Sequence, residues 1–141
     1  MKVRFKKLNK DAKAPSRAHA TDAGYDLYCI SAESDIKNGN IIYKTGIAVE
    51  IPRGYVGLLF SRSSICKYDL MQCNAVGVID SGYRGDLTFV FRRMQPFANC
   101  YKVGDKVGQL IIIPYPEIEF EEVEELSDSD RGDNGFGSSG K

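Results

Sequence analysis

Apolar and polar positions alternate over short stretches of this chain, and almost nowhere recur with a helical period. Val3-Arg4-Phe5-Lys6 alternates as a half-buried strand does. Tyr25 to Ile30, Ile41 to Tyr43, Gly46 to Ile51 and Tyr55 to Phe60 are short runs rich in β-branched and aromatic residues. Asn38-Gly39, Thr45-Gly46 and Pro52-Arg53-Gly54 punctuate them as turns. Further runs cover Ala75 to Ile79, Asp86 to Phe91, Lys106 to Ile113 and Ile118 to Val123. In the last, Ile118 and Phe120 alternate with Glu119 and Glu121, which predicts an edge strand with one face in water. Only Ser63 to Leu70 offers a helical turn or two. Short strands at regular spacing predict an all-β subunit, a jelly-roll-like barrel or sandwich.

Composition narrows this further. At 141 residues, with 43% hydrophobic and 27% charged residues, one domain is expected, with a core large enough to need no metal or disulfide staples. The longest apolar run, Leu110 to Pro114, is far too short to span a membrane. The bases of residues 1–7 have no apolar stretch behind them, so no signal peptide is expected. The cytoplasm is the default compartment, with a nuclear or viral origin left open. The single histidine, His19, excludes a multi-histidine zinc site and turns the search for a general base toward carboxylates. The cysteines at 29, 66, 73 and 100 form no C-x-x-C pair and are expected as reduced thiols.

The net charge of zero hides a segregation. Residues 1–17 hold seven bases and one acid, whereas residues 117–130 hold eight acids and no base. The acid run is expected to be the wet face of the 118–123 strand, meeting the N-terminal bases within or between subunits. Arg131 to Lys141, rich in glycine and small polar residues, cannot pack a core and reads as a flexible arm. The chain therefore divides into a β core over 1–126 and an arm over 127–141. No basic stripe interleaved with aromatics is present, so stable nucleic-acid binding is not expected, and neither is membrane association.

Four polar, glycine-rich stretches could carry chemistry. Ala20 to Leu27 places Asp22 and Asp26 around a glycine at the start of a strand. Ser61-Arg62-Ser63-Ser64 sets hydroxyls beside a guanidinium, a donor set suited to phosphate. Asn74 to Asp86 reads as a hairpin with Asp80 near its bend and Tyr83 and Arg84 beyond. Arg131 to Lys141 superficially resembles a phosphate loop but leads into no helix, so a lid suits it better.

These stretches, with Gly104-Asp105-Lys106-Val107-Gly108-Gln109-Leu110, resemble in order and spacing the five motifs of the trimeric dUTP pyrophosphatases (dUTPases). The match includes G-V-I-D-S-G-Y-R-G over 77–85 and spans residues 20–140. The resemblance implies a homotrimer with shared active sites that hydrolyses dUTP to dUMP and pyrophosphate with Mg²⁺. It implies Asp80 as the base that orients the attacking water, and Tyr83 as the ring beneath the deoxyribose. Asn74 would bond the uracil edge beside backbone groups of Gly77 and Ile79. Arg62, Ser63, Ser64 and Gln109 match phosphate-contacting positions, and Asp26 lies near the metal through water. Arg131, Phe136, Gly137, Ser138 and Ser139 match the arm that closes over the nucleotide. The alternatives are a dCTP deaminase of the same fold, mono- or bifunctional, and a non-catalytic regulatory trimer.

Overall fold

The computed structural model describes residues 1–135. Among them are ten strands: β1 (Arg4–Lys7), β2 (Tyr25–Tyr28), β3 (Ser31–Asp35), β4 (Asn40–Lys44), β5 (Ile47–Glu50), β6 (Tyr55–Phe60), β7 (Leu70–Gln72), β8 (Gly77–Ile79), β9 (Thr88–Arg93) and β10 (Lys106–Pro114). A 3-10 turn, Ser63–Lys67, follows β6 and supplies the short helical segment that the sequence suggests.

One sheet has the order β2-β10-β6-β8 and a second the order β3-β4-β9-β7, while β1 and β5 form a separate pair. All pairings are antiparallel. The barrel-or-sandwich alternative resolves as a sandwich, for the sheets do not close into a barrel.

The strand period explains the core. In β4, Ile41 and Tyr43 point inward while their neighbours do not, and in β9 Phe89 and Phe91 do the same. They meet Leu27, Leu59, Val107 and Leu110 from the facing sheet, in one cluster. Each such side chain contributes about 1.5–3 kcal/mol on burial. Tyr43 packs edge-on against Phe91 and Tyr101, with centroids 5.8 and 5.9 Å apart. The sheets approach so closely at Gly108 that a Cβ there would collide with the Phe89 ring.

Three expectations are corrected. Ile118 to Val123 forms no strand; the segment is exposed along its length, because its own chain offers no surface to cover Ile118 and Phe120. Within one chain the N-terminal bases accordingly do not pair with the acid run: Arg4 pairs with Glu50 of β5, and the contact to the acid run comes from Arg53 on Glu117, at 3.4 Å. The 74–86 stretch is not a two-strand hairpin. β8 pairs with β6, β9 lies in the other sheet, and residues 80–87 cross between them. Two strands had no sequence signal: β3 (SAESD) is a polar edge strand, and β7 has only three residues.

Candidate active site

β10 lies between β2 and β6, and the register sets Gln109 opposite Asp26 on one side and Phe60 on the other. Three separated stretches of sequence thereby converge. The backbone of Asp26 exchanges hydrogen bonds of 3.2 and 2.6 Å with Ser16, which fixes the start of β2. Two residues past the end of β6, Arg62 donates from Nε to Asp26 Oδ1 at 2.7 Å. Lys106 Nζ pairs with the other oxygen, Oδ2, also at 2.7 Å. Asp26 is only 8% exposed, so its burial rests on these two cations. The hydrogen bond to Asp26 in turn raises the Lys106 pKa above the usual lysine range. Arg62 Nη1 also reaches Ser64 Oγ at 3.4 Å, and Ser63 opens the 3-10 turn exposed to solvent.

A second set of polar contacts extends from this cluster. Gln109 Nε2 donates to the Ser61 carbonyl at 3.2 Å, and Ser61 Oγ donates to Gln72 Oε1 at 2.8 Å. Gln72, itself buried, donates to the Leu59 carbonyl at 3.1 Å and to Asn74 Oδ1 at 3.2 Å. Asn74 sits in the turn between β7 and β8, beside Ala75, whose φ of 54° is left-handed. That conformation costs an L-residue about 1–2 kcal/mol and marks a locally strained turn.

Asp80 and Tyr83 lie elsewhere. The β6–β8 register pairs Gly57 with Ile79, so Asp80 falls beside Val56, near the start of β6. With Val56, Ser81 and Tyr115 it lines a cavity of about 380 Å³. Its carboxylate is exposed and has no side-chain partner among the described residues. Tyr83 N donates to the Asp80 carbonyl at 3.0 Å, closing the turn, and Tyr83 Oη donates to the Asp86 carbonyl at 3.2 Å. Asp86 anchors this crossing: its Oδ1 accepts from Thr45 N, Thr45 Oγ1 and Gly46 N at 3.2, 3.2 and 2.9 Å. Gly46 takes the left-handed φ of 66° that this turn requires.

One chain therefore brings together Asp26, Arg62, Ser64, Gln109 and, through Gln72, Asn74, but not Asp80 or Tyr83. Val56 and Phe60 are about 13 Å apart along β6 at the strand rise, with Asp80 beside the first and Arg62 beyond the second. Gly77 and Ile79 are buried in β8. Arg131 is exposed and donates to the Asn134 carbonyl at 3.0 Å. Phe136, Gly137, Ser138 and Ser139 lie outside the described residues. Asp22 accepts from the His19 amide at 2.8 Å, a turn contact. Lys106, Gln72 and Asp86 join the site with no role expected of them from the sequence. Lys106 stands inside the Gly104–Leu110 motif and was legible as a base there; Gln72 and Asp86 carry no local signal.

The family model for dUTPase matches residues 10–140. This chain belongs to the dUTPase family. The dUTPase is 38% identical over 141 residues to the deoxyuridine 5'-triphosphate nucleotidohydrolase of Corynebacterium glutamicum, covering 99% of this chain and 95% of that one. Its fold superposes on the Staphylococcus bacteriophage 80alpha dUTPase with dUPNHPP at a TM-score of 0.84, with 34% identity and 99% of each chain covered. A phage phi11 dUTPase of S. aureus, solved with a structural Mg(II) ion, gives a TM-score of 0.76 at 30% identity, covering 89% of this chain and 99% of that one. Among the described residues no helix is long and apolar enough to cross a membrane.

Proposed function

We propose that this dUTPase hydrolyses dUTP to dUMP and pyrophosphate as a homotrimer whose sites draw on more than one subunit. The reaction limits uracil incorporation into DNA and supplies dUMP for dTMP synthesis. The observation that carries the reading is the convergence of Asp26, Arg62 and Gln109 on one cluster while Asp80 stays exposed and unpaired away from it. A triphosphate bound at the first group would meet the base of a neighbouring chain. The exposed apolar side chains of the 115–126 segment, including Ile118, Phe120 and Leu126, support association, since they have no cover within their own chain.

Asp80 accepts a proton from a water whose oxygen bonds to the α-phosphorus, while the bond from that phosphorus to the α,β-bridging oxygen breaks and pyrophosphate leaves. General-base assistance supplies about 10²–10⁴-fold, so the remaining acceleration comes from fixing the phosphates and neutralising their charge. Arg62 supplies a planar fork with donors beyond the Nε held by Asp26, and Ser63, Ser64 and Gln109 add neutral donors. Tyr83 lies beneath the deoxyribose. Asn74 and the β8 backbone around Gly77 and Ile79 read the uracil edge, where a wrong base would leave buried donors unpaired. The arm of residues 127–141, with Arg131, Phe136, Gly137, Ser138 and Ser139, closes over the nucleotide of the core formed by 1–126.

Mg²⁺ fits this site only in company with the nucleotide. No cluster of three or more His, Cys, Asp or Glu exists among the described residues, and both Asp26 oxygens already face cations. The carboxylate retains lone pairs for a metal-bound water, and the phosphates would supply the rest of the shell. When bound, the ion offsets phosphate charge.

The test is pyrophosphate release from dUTP by the wild type and by Asp80→Asn. Turnover by the first and its loss in the second is expected. No release by the wild type would overturn the reading, and ammonia release from dCTP would favour a deaminase instead.

A further inference from the structure

The dipeptide Asn-Gly occurs twice in this chain, at 38–39 and at 134–135. In such a pair the glycine amide nitrogen can attack the asparagine Cγ, because no Cβ stands in its way. The Asn38 copy is tied down. It turns β3 into β4, whose register pairs Asp35 with Asn40. Asp35 accepts from Asn38 N and Nδ2 at 3.3 and 2.7 Å, and the Gly39 carbonyl accepts from Arg93 N at 3.0 Å. Ring closure needs that backbone to rotate, and the paired strands on both sides resist it.

The Asn134 copy is exposed and stands outside any strand. No atom of the described residues beyond its chain neighbours lies within 4 Å of a Cβ built on Gly135, so the nucleophile has open surroundings. The contacts of Asn134 are confined to one turn. Its N and Nδ2 donate to the Arg131 carbonyl at 3.2 and 3.0 Å, and Arg131 Nε donates to the Asn134 carbonyl at 3.0 Å. That last bond bears on reactivity. The Asn134 carbonyl shares its peptide bond with the Gly135 nitrogen, so when that nitrogen loses its proton the charge spreads onto this oxygen. A guanidinium bonded there stabilises the anion. Asn38 has a carboxylate against it instead, which opposes a negative charge.

We propose that Asn134 is a self-modification site that ages the arm. Hydroxide takes the Gly135 amide proton, and the nitrogen bonds to Asn134 Cγ. The Cγ–Nδ2 bond breaks, and the nitrogen leaves as ammonia after taking a proton from water. Water then opens the succinimide at either carbonyl, giving aspartate or isoaspartate. The net change consumes one water and exchanges an amide for a carboxylate. It adds a negative charge beside Asp133, in the segment that carries Arg131, and isoaspartate also lengthens the main chain by a methylene. Both oppose closure over a polyanion. This consequence rests on the proposed role of the arm; the chemistry does not.

The purified protein is held without substrate at pH 7 and pH 9, and peptides covering each Asn-Gly are followed by mass spectrometry. Asn134 is expected to exchange NH for O at least about tenfold faster than Asn38, and faster at the higher pH. In denaturing urea the two rates should converge. In the folded protein Arg131→Gln should slow the change at Asn134 about three- to tenfold, because a neutral donor replaces a charged one. Equal rates at the two sites in the folded protein would overturn the proposal, as would an unchanged rate in Arg131→Gln. For the consequence, Asn134→Asp is expected to raise the KM for dUTP about three- to tenfold over freshly purified wild type. Added salt should shrink that difference, which a steric effect would not do. An equal KM would overturn the ageing of the arm. Failure of the wild type to hydrolyse dUTP would count against the function instead and leave the peptide masses readable.

Discussion

Asp26 and Arg62 meet at 2.7 Å through Nε, the one nitrogen of the guanidinium that a terminal fork does not need. The pair therefore orients Arg62 without consuming the end that grips phosphate. Lysine cannot reproduce this, because it has no Nε–H and no fork. Arg62→Lys is expected to lower kcat/KM for dUTP by about 10²-fold, some 2.7 kcal/mol of transition-state stabilisation, with the melting temperature nearly unchanged. A steady-state assay beside a thermal melt checks it; retention of kcat/KM within a fewfold would mean that charge alone suffices there.

Removing the acid has a different signature. Asp26→Asn leaves Arg62 and Lys106 facing each other across a neutral amide. Both cations are partly exposed, so solvent softens the cost, and a loss of about 1–3 kcal/mol is expected in urea unfolding. The double variant Asp26→Asn/Lys106→Met should recover part of it by removing one of the unpaired charges. No recovery would show that the loss comes from the strand and not from the charges.

Such pairings lie beyond what a local sequence pattern encodes. β6 was legible as an apolar run, and its ends are those expected, because a strand period is local. Arg62, Gln109 and Asp26 were legible through their motifs. Lys106 reaches Asp26 only because β10 inserts between β2 and β6, and no local pattern encodes that order. Residues 80–87 carried strong turn signals, yet turn chemistry does not say whether the next strand stays in the same sheet. Ile118 and Phe120 alternate as a strand should, but alternation reports a face to be covered and not what covers it. Gln72 sits two residues from Asn74 and was indistinguishable from any strand glutamine.

The loop bearing Asp80 is held from behind by Asp86. Its Oδ1 accepts from two backbone amides and one hydroxyl at the β4–β5 turn, and Thr45 is fully buried. Asp86→Ala strands the amides of Thr45 and Gly46, whereas the Thr45 hydroxyl keeps the Leu87 carbonyl at 2.8 Å, and the change is expected to destabilise the fold by about 2–4 kcal/mol. Asp86→Asn keeps an acceptor oxygen and should lose less. Chemical denaturation orders the three proteins, and an equal loss for both variants would contradict the acceptor role.

Alkaline pH tests the interior. Cys29 is buried, and burial pushes its thiol up to about 11. In the unfolded chain the thiol ionises near its reference value, so above that value the unfolded state releases a proton that the folded state keeps. Stability is therefore complete below about pH 9 and falls as pH rises toward 11, by at most about 2–3 kcal/mol from this group. Cys29→Ala should be less stable at pH 8 but show a shallower decline from pH 9 to 10. The raised pKa of Lys106, through its bond to Asp26, adds a loss of the same sign at higher pH. Parallel declines in wild type and Cys29→Ala would remove the thiol as the cause. Cys66 and Cys73 are exposed and should react with a disulfide reagent in the folded state, whereas Cys29 should not.

The separation of Asp80 from the Arg62 cluster leads to the sharpest expectation. If one site takes Asp80 from one chain and Arg62 from another, two defective chains can complement each other. Asp80→Asn and Arg62→Ala should each be nearly inactive alone. Unfolded together in equal amounts and refolded, they would associate at random, and a site is intact only when its Asp80 donor is the Arg62→Ala chain and its Arg62 donor the Asp80→Asn chain. Each choice has even odds, so about a quarter of the wild-type activity should return. A site built within one chain gains nothing by mixing, because every chain then carries its own lesion. Pyrophosphate release from the refolded mixture, compared with each variant refolded alone, decides between them; activity no greater than the sum of the two would place Asp80 and Arg62 in the same subunit's site and require residues 80–87 to move toward β10.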